Sequence, residues 1–331
     1  MRTELMIAQD LLGVPPDRIE PVAGGGNNRL FRLVSGPSQF ALKLYDAQDL
    51  TAIARFEREV AALDFLADTP LADRIPGLVS ADPAPPAALM EWVEGVPVTE
   101  RSSNEVPRLL DFLIDLVAAG MAPSATTISL AAESCLTVAE LVRQIDRRRA
   151  RLGEIDAAEL QPYLKRFDRL WQTLRRRLSN EDSQELAPGL RVLSPSDFGF
   201  HNTLRRPDGR LAFLDFEYFG WDDPAKLACD LLWHPGMQLD SGERSALHSG
   251  LLTLYSARDP CFARRFEQVL PAYGMRWCLI LLNVFLPERW QRRRFATRAD
   301  GDDWAGAKQR QLGMAETFLA RVETVLEEKV L

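Results

Sequence analysis

The sequence predicts an α+β protein: a small N-terminal lobe built on an antiparallel sheet with one main helix, then a larger, mainly helical lobe. Three observations carry that reading. Strand-like alternation is concentrated before Gly95-Val96-Pro97. Helical periodicity dominates from Asn104 onward. One interruption, between Leu190 and Asp223, reads as a short strand, a loop and a hairpin. The change of pattern divides the chain into residues 1–97 and 98–331.

Each element has a local cause. Thr3 to Leu12 is a short amphipathic helix stopped by Gly13 and Pro15-Pro16. Ile19 to Ala23 reads as a strand that runs into Gly24-Gly25-Gly26-Asn27-Asn28. Arg29 to Val34 is a second strand, turned by Ser35-Gly36-Pro37 into a third at Phe40 to Tyr45. Phe56, Val60, Leu63 and Phe65-Leu66 keep helical spacing and predict a helix over Leu50 to Leu66. Gly77 to Ser80 and Ala88 to Val93 form a further strand pair around the Pro-rich stretch Ala81 to Pro86. Beyond Asn104 the periodicity predicts helices over 105–119, 137–150, 156–179, 241–256, 262–286 and 304–328. Thr137 and Glu140 have capping-box spacing. The hairpin pairs Asn202 to Arg205 with Leu211 to Phe216 through the turn Pro207-Asp208-Gly209.

Composition excludes several classes. With 331 residues, 46% of them apolar and 26% charged, the chain has the makeup of a globular protein and can bury a large core. Its formal net charge of −7 argues against a nucleic-acid partner, which calls for a basic face. The arginine clusters at 147–149, 175–177 and 292–294 have acidic neighbours and read as solvated helix faces. The four cysteines, at 135, 229, 261 and 278, make no CxxC pair and no zinc spacing, so they read as reduced thiols of a cytoplasmic protein. No apolar run reaches the ~20 residues of a membrane span. Trp277 to Leu286 reads as a buried helix, and the N-terminus shows no secretory apolar region.

Four features carry chemistry. The first is the glycine-rich turn Gly24 to Asn28, where successive N–H groups can approach a phosphate, although such a turn also occurs without a ligand. The second is Lys43, alone in the apolar run Phe40 to Tyr45. It reads as either an edge-strand lysine in solvent or a buried cation in need of a partner. Glu57 and Glu59 on the next helix are the candidates, and Glu59 lies better against its buried face. The third is Ala88 to Gly95, a connecting strand whose backbone can face a planar base or simply link the lobes. The fourth pairs Asp197 and Asn202, in one loop, with Asp215 just past the next strand. Turn chemistry explains Asp and Asn there; so does a hard-oxygen site for Mg²⁺ beside a general base.

Taken in this order and on these elements, the four features resemble the aminoglycoside phosphotransferase and choline kinase family, small-molecule kinases with a two-lobe, protein-kinase-like fold. The resemblance runs from about Ile19 to about Pro235. It is most specific in Ser194 to Asn202, in Phe213-Leu214-Asp215-Phe216-Glu217-Tyr218, in Gly220 to Pro224 and in Asp230-Leu231. It implies an ATP- and Mg²⁺-dependent transfer to a hydroxyl of a small molecule, such as an amino sugar or amino alcohol, with neither nucleic acid nor membrane as partner. It further implies that Lys43 contacts the ATP phosphates and pairs with Glu59, and that residues 24–28 cover those phosphates. By the same resemblance, backbone around Glu91 to Val93 holds adenine, Asp197 is the base, Asn202 and Asp215 are metal ligands, and Asp230 is structural. One departure stands out: Pro195-Ser196 occupies the place of the family's His-Gly before the catalytic Asp. That departure supports an alternative reading, a nucleotide-binding pseudoenzyme on the same fold.

Overall fold

The N-terminal strands pair into an antiparallel sheet of order β1-β2-β3-β5-β4, made of Arg18–Val22, Arg29–Ser35, Ser38–Leu44, Leu78–Pro83 and Pro86–Glu91 for β1 to β5. The structure, a computed structural model, describes residues 2–22, 28–178, 184–291 and 303–328. The described chain divides into two compact units. One comprises residues up to Ala132 with Leu193–Trp221. The other comprises Glu133–Val192, Asp222–Gln291 and the C-terminal helix.

In the first unit the sheet is covered on both faces. Helix α1 (Glu4–Leu12) is capped by the Thr3 hydroxyl and ends on Gly13 at φ 75°. Its Ile7 and Ala8 pack on Phe31, Leu33, Leu42 and Leu89. Helix α2 (Leu50–Ala67) packs Ala52 and Phe56 against Tyr45 and Ala88 on the opposite face. Strand alternation therefore sends Leu42 and Leu44 to α1 and puts Lys43 and Tyr45 on the α2 side. Full burial of a leucine such as Leu33 or Leu42 contributes about 1.5–3 kcal/mol.

The same unit holds a second, smaller sheet of order β6-β8-β9, formed by Val96–Pro97, Thr203–Arg205 and Leu211–Phe213. Helix α3 (Glu105–Ala119) packs Phe112 against Phe198 and Phe213, at centroid separations of 5.2 and 4.3 Å. β7 (Val192–Ser194) pairs with β10 (Gly220–Asp222). Gly220 lets β10 lie against residues 129–131, because a Cβ there would sit 2.5 Å from Ser129 O.

The second unit is helical among its described residues: α4 (Val138–Gly153), α5 (Gln161–Leu178), α6 (Pro224–Trp233), α7 (Ser241–Ser256), α8 (Phe262–Leu281) and α9 (Trp304–Glu328). Helix α8 is its hub and touches the other five. No described helix is long and apolar enough to cross a membrane.

Three features depart from the sequence reading. Helix α6 lacks the amphipathic period because all ten of its residues are buried. The helix read as 156–179 starts at Gln161, after a 3₁₀ turn at Ala158–Leu160, and the one read as 262–286 gives way to a 3₁₀ turn at Leu282–Phe285. Arg148 is buried rather than solvated and pairs with Glu133, while residues 292–294 lie outside the described chain. Cys135, Cys229 and Cys278 are buried free thiols, and Cys261 is exposed.

Candidate active site

Lys43 is the centre of the site. Its Nζ lies 2.6 Å from Glu59 Oε2, 2.7 Å from Asp215 Oδ1 and 3.4 Å from Glu217 Oε2. Two elements make this possible. Strand β3 turns Lys43 toward α2, and α2 presents Arg55 and Glu59, one turn apart, on the same buried face. Glu59 is 1% exposed. It also accepts the Tyr45 hydroxyl and, at 3.2 Å, the Phe216 N–H, which anchors the Asp215 segment to α2. Glu217 is equally buried; it accepts the Asn28 amide and lies 3.4 Å from Arg55 Nε.

The electrostatics follow from this crowding. Burial opposes the charge on Lys43, but Asp215 and Glu59 outweigh it and hold the ammonium well above the ordinary lysine value. Burial raises Asp215, Lys43 pulls it back, and the carboxylates of Glu59 and Asp197 add to the rise. Burial, followed by Glu59, likewise pushes the Tyr45 phenol up.

The loop carrying Asp197 is built from unusual backbone. Ser196 at φ 65° and Gly199 at φ 151° both adopt positive-φ backbone, which side chains rarely favour. Ser196 N–H donates to Ser194 Oγ at 3.1 Å, and Asp197 N–H to Pro195 O at 2.9 Å. Gly199 O then accepts from Asn202 N at 3.0 Å and from Thr203 Oγ1 at 2.8 Å. Asn202 Nδ2 donates to Asp197 O at 2.9 Å, which fixes the amide and leaves Oδ1 as the acceptor. Leu214 N–H donates to Asn202 O at 2.8 Å. The open end of the β8–β9 hairpin thus holds Asn202 beside Asp215, itself at φ 68°.

The structure brings Lys43, Glu59 and Asp215 into direct contact. It places Asp197 close enough to raise Asp215, and bonds Asn202 to both flanking segments. Asn28 joins them through Glu217, whereas Gly24, Gly25, Gly26 and Asn27 lie outside the described residues. Glu91 ends β5, the strand next to β3, and Trp92 and Val93 follow it, without touching the Lys43 cluster through any side-chain bond between described residues. Glu91 N–H goes to Gly77 O and Trp92 N–H to Gln39 O. Val93 is buried, and its N–H meets no acceptor among the described residues.

Sequence reasoning gave no role to Arg55, Glu217 or His201. The signal for Glu217 was an acid two residues after Asp215 across an apolar Phe216. That for Arg55 was its helical spacing from Glu59. His201 Nε2 lies 3.0 Å from Asp197 Oδ1.

The donor set suits a hard dication. Lys43 and Arg55 face Glu59, Asp215, Glu217 and the nearby Asp197, a formal surplus of two negative charges. The oxygens of Asp215 and Asn202 outside these bonds are hard donors of the kind that could hold Mg²⁺.

No curated protein matches the sequence. Among solved structures, the choline kinase LicA from Streptococcus pneumoniae is 15% identical and superposes with a TM-score of 0.60, covering 95% of this chain and 98% of its own. An aminoglycoside phosphotransferase described as putative, from Ralstonia eutropha, is 18% identical with a TM-score of 0.59, covering 93% and 92%. A thermostable mutant of aminoglycoside phosphotransferase APH(4)-Ia, in ternary complex with ADP and hygromycin B, is 15% identical with a TM-score of 0.59, covering 97% and 98%. These likenesses show a shared kinase-like fold. The family model described as the phosphotransferase enzyme family matches residues 18–266, and on that match the chain belongs to this family.

Proposed function

We propose that the protein transfers the γ-phosphoryl group of ATP to a hydroxyl of a small molecule. The observation that carries this reading is Lys43, buried between Glu59 and Asp215 at 2.6 and 2.7 Å, next to the braced loop of Asp197 and Asn202. Phosphoryl transfer needs positioned charge more than covalent help, and this cluster consists of positioned charge.

In this reading residues 1–97 supply the nucleotide groups and residues 98–331 the catalytic, metal and acceptor groups. Lys43, oriented by Glu59, holds the α- and β-phosphates, and the 24–28 turn covers them. The Val93 N–H, with backbone of Glu91 and Trp92, meets the adenine edge. Asp197 accepts the proton of the acceptor hydroxyl. Asp215 and Asn202 would hold Mg²⁺, which when bound offsets phosphate charge. Nucleotide use is supported by relatives solved with ADP or an ATP analogue. A choline kinase and aminoglycoside kinases among the similar folds support an amino alcohol, an amino sugar or a related metabolite as acceptor.

The test is ATP consumption by the purified protein with Mg²⁺, against pooled aminoglycosides, amino alcohols, sugars and nucleosides, beside Asp197→Asn. Acceptor-dependent turnover is expected, falling about 10²–10⁴-fold in the variant, as for loss of a general base. ATP binding without turnover in any pool would favour the pseudoenzyme reading that Pro195-Ser196 suggests. Failure to bind ATP would refute the roles given to Lys43, Asn202 and Asp215.

A further inference from the structure

The helical unit carries a basic groove of about 830 Å³ among α5, α7, α8 and α9. Its floor is apolar: Leu174, Leu178, Leu270, Pro271 and Val325. Arg177, Arg244, Arg264 and His248 line it, and Glu267 is the single acid among the described lining residues, beside His248. In a protein of net charge −7 this is a local inversion of sign.

Arg244 and a further arginine behind it, Arg321, are the unusual pair. Arg244 Nη1 and Arg321 Nη2 donate to one and the same carbonyl, Leu232 O, at 2.8 and 3.0 Å. The Arg321 guanidinium also lies 4.3 Å over the Trp233 ring, which fixes its direction. Neither arginine pairs with a carboxylate among the described residues, and neither do Arg177 and Arg264. Arg244 Nη2 also donates to Leu239 O at 3.4 Å, so the pair rests on neutral carbonyls alone, and two adjacent like charges partly withdrawn from water are costly as they stand. Burial, followed by the neighbouring Arg244, pushes Arg321 down to about 9, far below an ordinary arginine. Every other buried or half-buried arginine cluster of this unit contains its acid: Arg276 and Arg148 have Glu133, Arg265 has Asp223 and Asp259, and Arg166 has Glu316 and Glu323.

We propose that this groove binds a small amphiphilic anion: a carboxylate or phosphate head met by Arg244, with Arg321 behind it adding charge, and an apolar tail along the Leu174–Leu178–Leu270 floor. An anionic head would receive charge-assisted hydrogen bonds from the planar Arg244 guanidinium, and would supply the counter-charge that the pair lacks. Arg177 and Arg264 at the rim add longer-range attraction. The site shares no residue with the Lys43 cluster, so it stands or falls independently of the phosphotransferase reading.

Calorimetric titration of the full chain with decanoate and with decyl phosphate, both below their micelle concentrations, tests it. Saturable binding is expected for at least one, and the comparison identifies the preferred head group. Decanol, decyltrimethylammonium and inorganic phosphate are expected to bind at least about tenfold more weakly, since each lacks the charge or the tail. Arg244→Gln is expected to weaken binding at least about tenfold, the scale of one lost charge-assisted contact, and Arg321→Gln less, as for the loss of a nearby charge. Exposed Arg177→Gln, which leaves folding intact, should weaken it two- to threefold and reduce its salt dependence. Absence of saturable binding, equal binding of decanol or of inorganic phosphate, or unchanged affinity in folded Arg244→Gln would each overturn the proposal.

Discussion

Arg55 depends on Glu217, and that dependence sets the size of a measurable effect. Both side chains are buried, at 5% and 1% exposure, and Glu217 is the one carboxylate paired with Arg55 among the described residues. Arg55 Nε has no direct hydrogen bond, so its stability in the interior rests on charge at 3.4 Å. Glu217→Gln keeps the shape and removes the charge. Leaving one partner of a buried pair uncompensated costs about 3–5 kcal/mol, and the 3.4 Å separation places this case near 3. At roughly 2 °C per kcal/mol for a chain of this size, the thermal midpoint should fall by ~6 °C. Glu59→Gln should cost less through charge, because Lys43 keeps Asp215 at 2.7 Å and Glu217 at 3.4 Å. The decisive assay is a double-mutant cycle by thermal and denaturant unfolding. Arg55→Met placed in the Glu217→Gln background should recover more than half of the loss, since it removes the stranded charge. A Glu217→Gln shift within about 2 °C of wild type, or no recovery in the double variant, would refute the reasoning.

Two further outcomes follow from geometry and charge. Gly220→Ala would drive a Cβ to 2.5 Å from Ser129 O and 2.6 Å from Leu130 C, backbone atoms that cannot rotate away. A loss of about 3 kcal/mol, the upper part of the overpacking range, should appear as reduced stability in denaturant unfolding. Glu133 gives a pH effect: burial raises its carboxyl, but Arg148 and Arg276 outweigh that and bring it to about 2 from the usual 4.5. A depressed folded-state value stabilises above pH 4.5, and that contribution is lost as pH falls from 4.5 toward 2. Glu133→Gln should therefore flatten the decline in stability over that acid range, modestly because 40% of the side chain is in water.

The legible parts of this fold are those with local periodicity or local company. The β1–β3 strands, α2 and the β8–β9 hairpin each follow from alternation, helical spacing or turn residues within a few positions. Lys43 stood out because an ammonium among Phe40, Leu42 and Leu44 needs an explanation. What escaped has no local signature. Helix α6 is buried on every side and so has no polar face to reveal its period. Arg148 looks like any exposed arginine of a charged helix until Glu133 and the packing of α8 close around it. Asn28 meets Glu217 across 189 positions, a pairing no window of sequence contains.

The replacement of His-Gly by Pro195-Ser196 raises the question of what braces the Asp197 loop, and the structure supplies an answer within the loop itself. Pro195 O and Ser194 Oγ accept the two N–H groups that follow them, Ser196 takes the left-handed turn, and Gly199 O ties Asn202 and Thr203. His201, four residues after Asp197 rather than two before it, lies 3.0 Å from Asp197 Oδ1 and so helps fix the direction of that carboxylate. If Asp197 is the base, as proposed above, this makes His201 a positioning residue. His201→Ala should lower kcat about tenfold, or ~1.4 kcal/mol, with the KM for ATP little changed. His201→Gln, whose amide can donate from a similar distance, should restore part of the loss at an unchanged thermal midpoint. A rise in the KM for ATP at constant kcat, or equal losses for Ala and Gln, would show that the loop's own backbone bonds suffice to orient Asp197 and that the histidine only packs beside it.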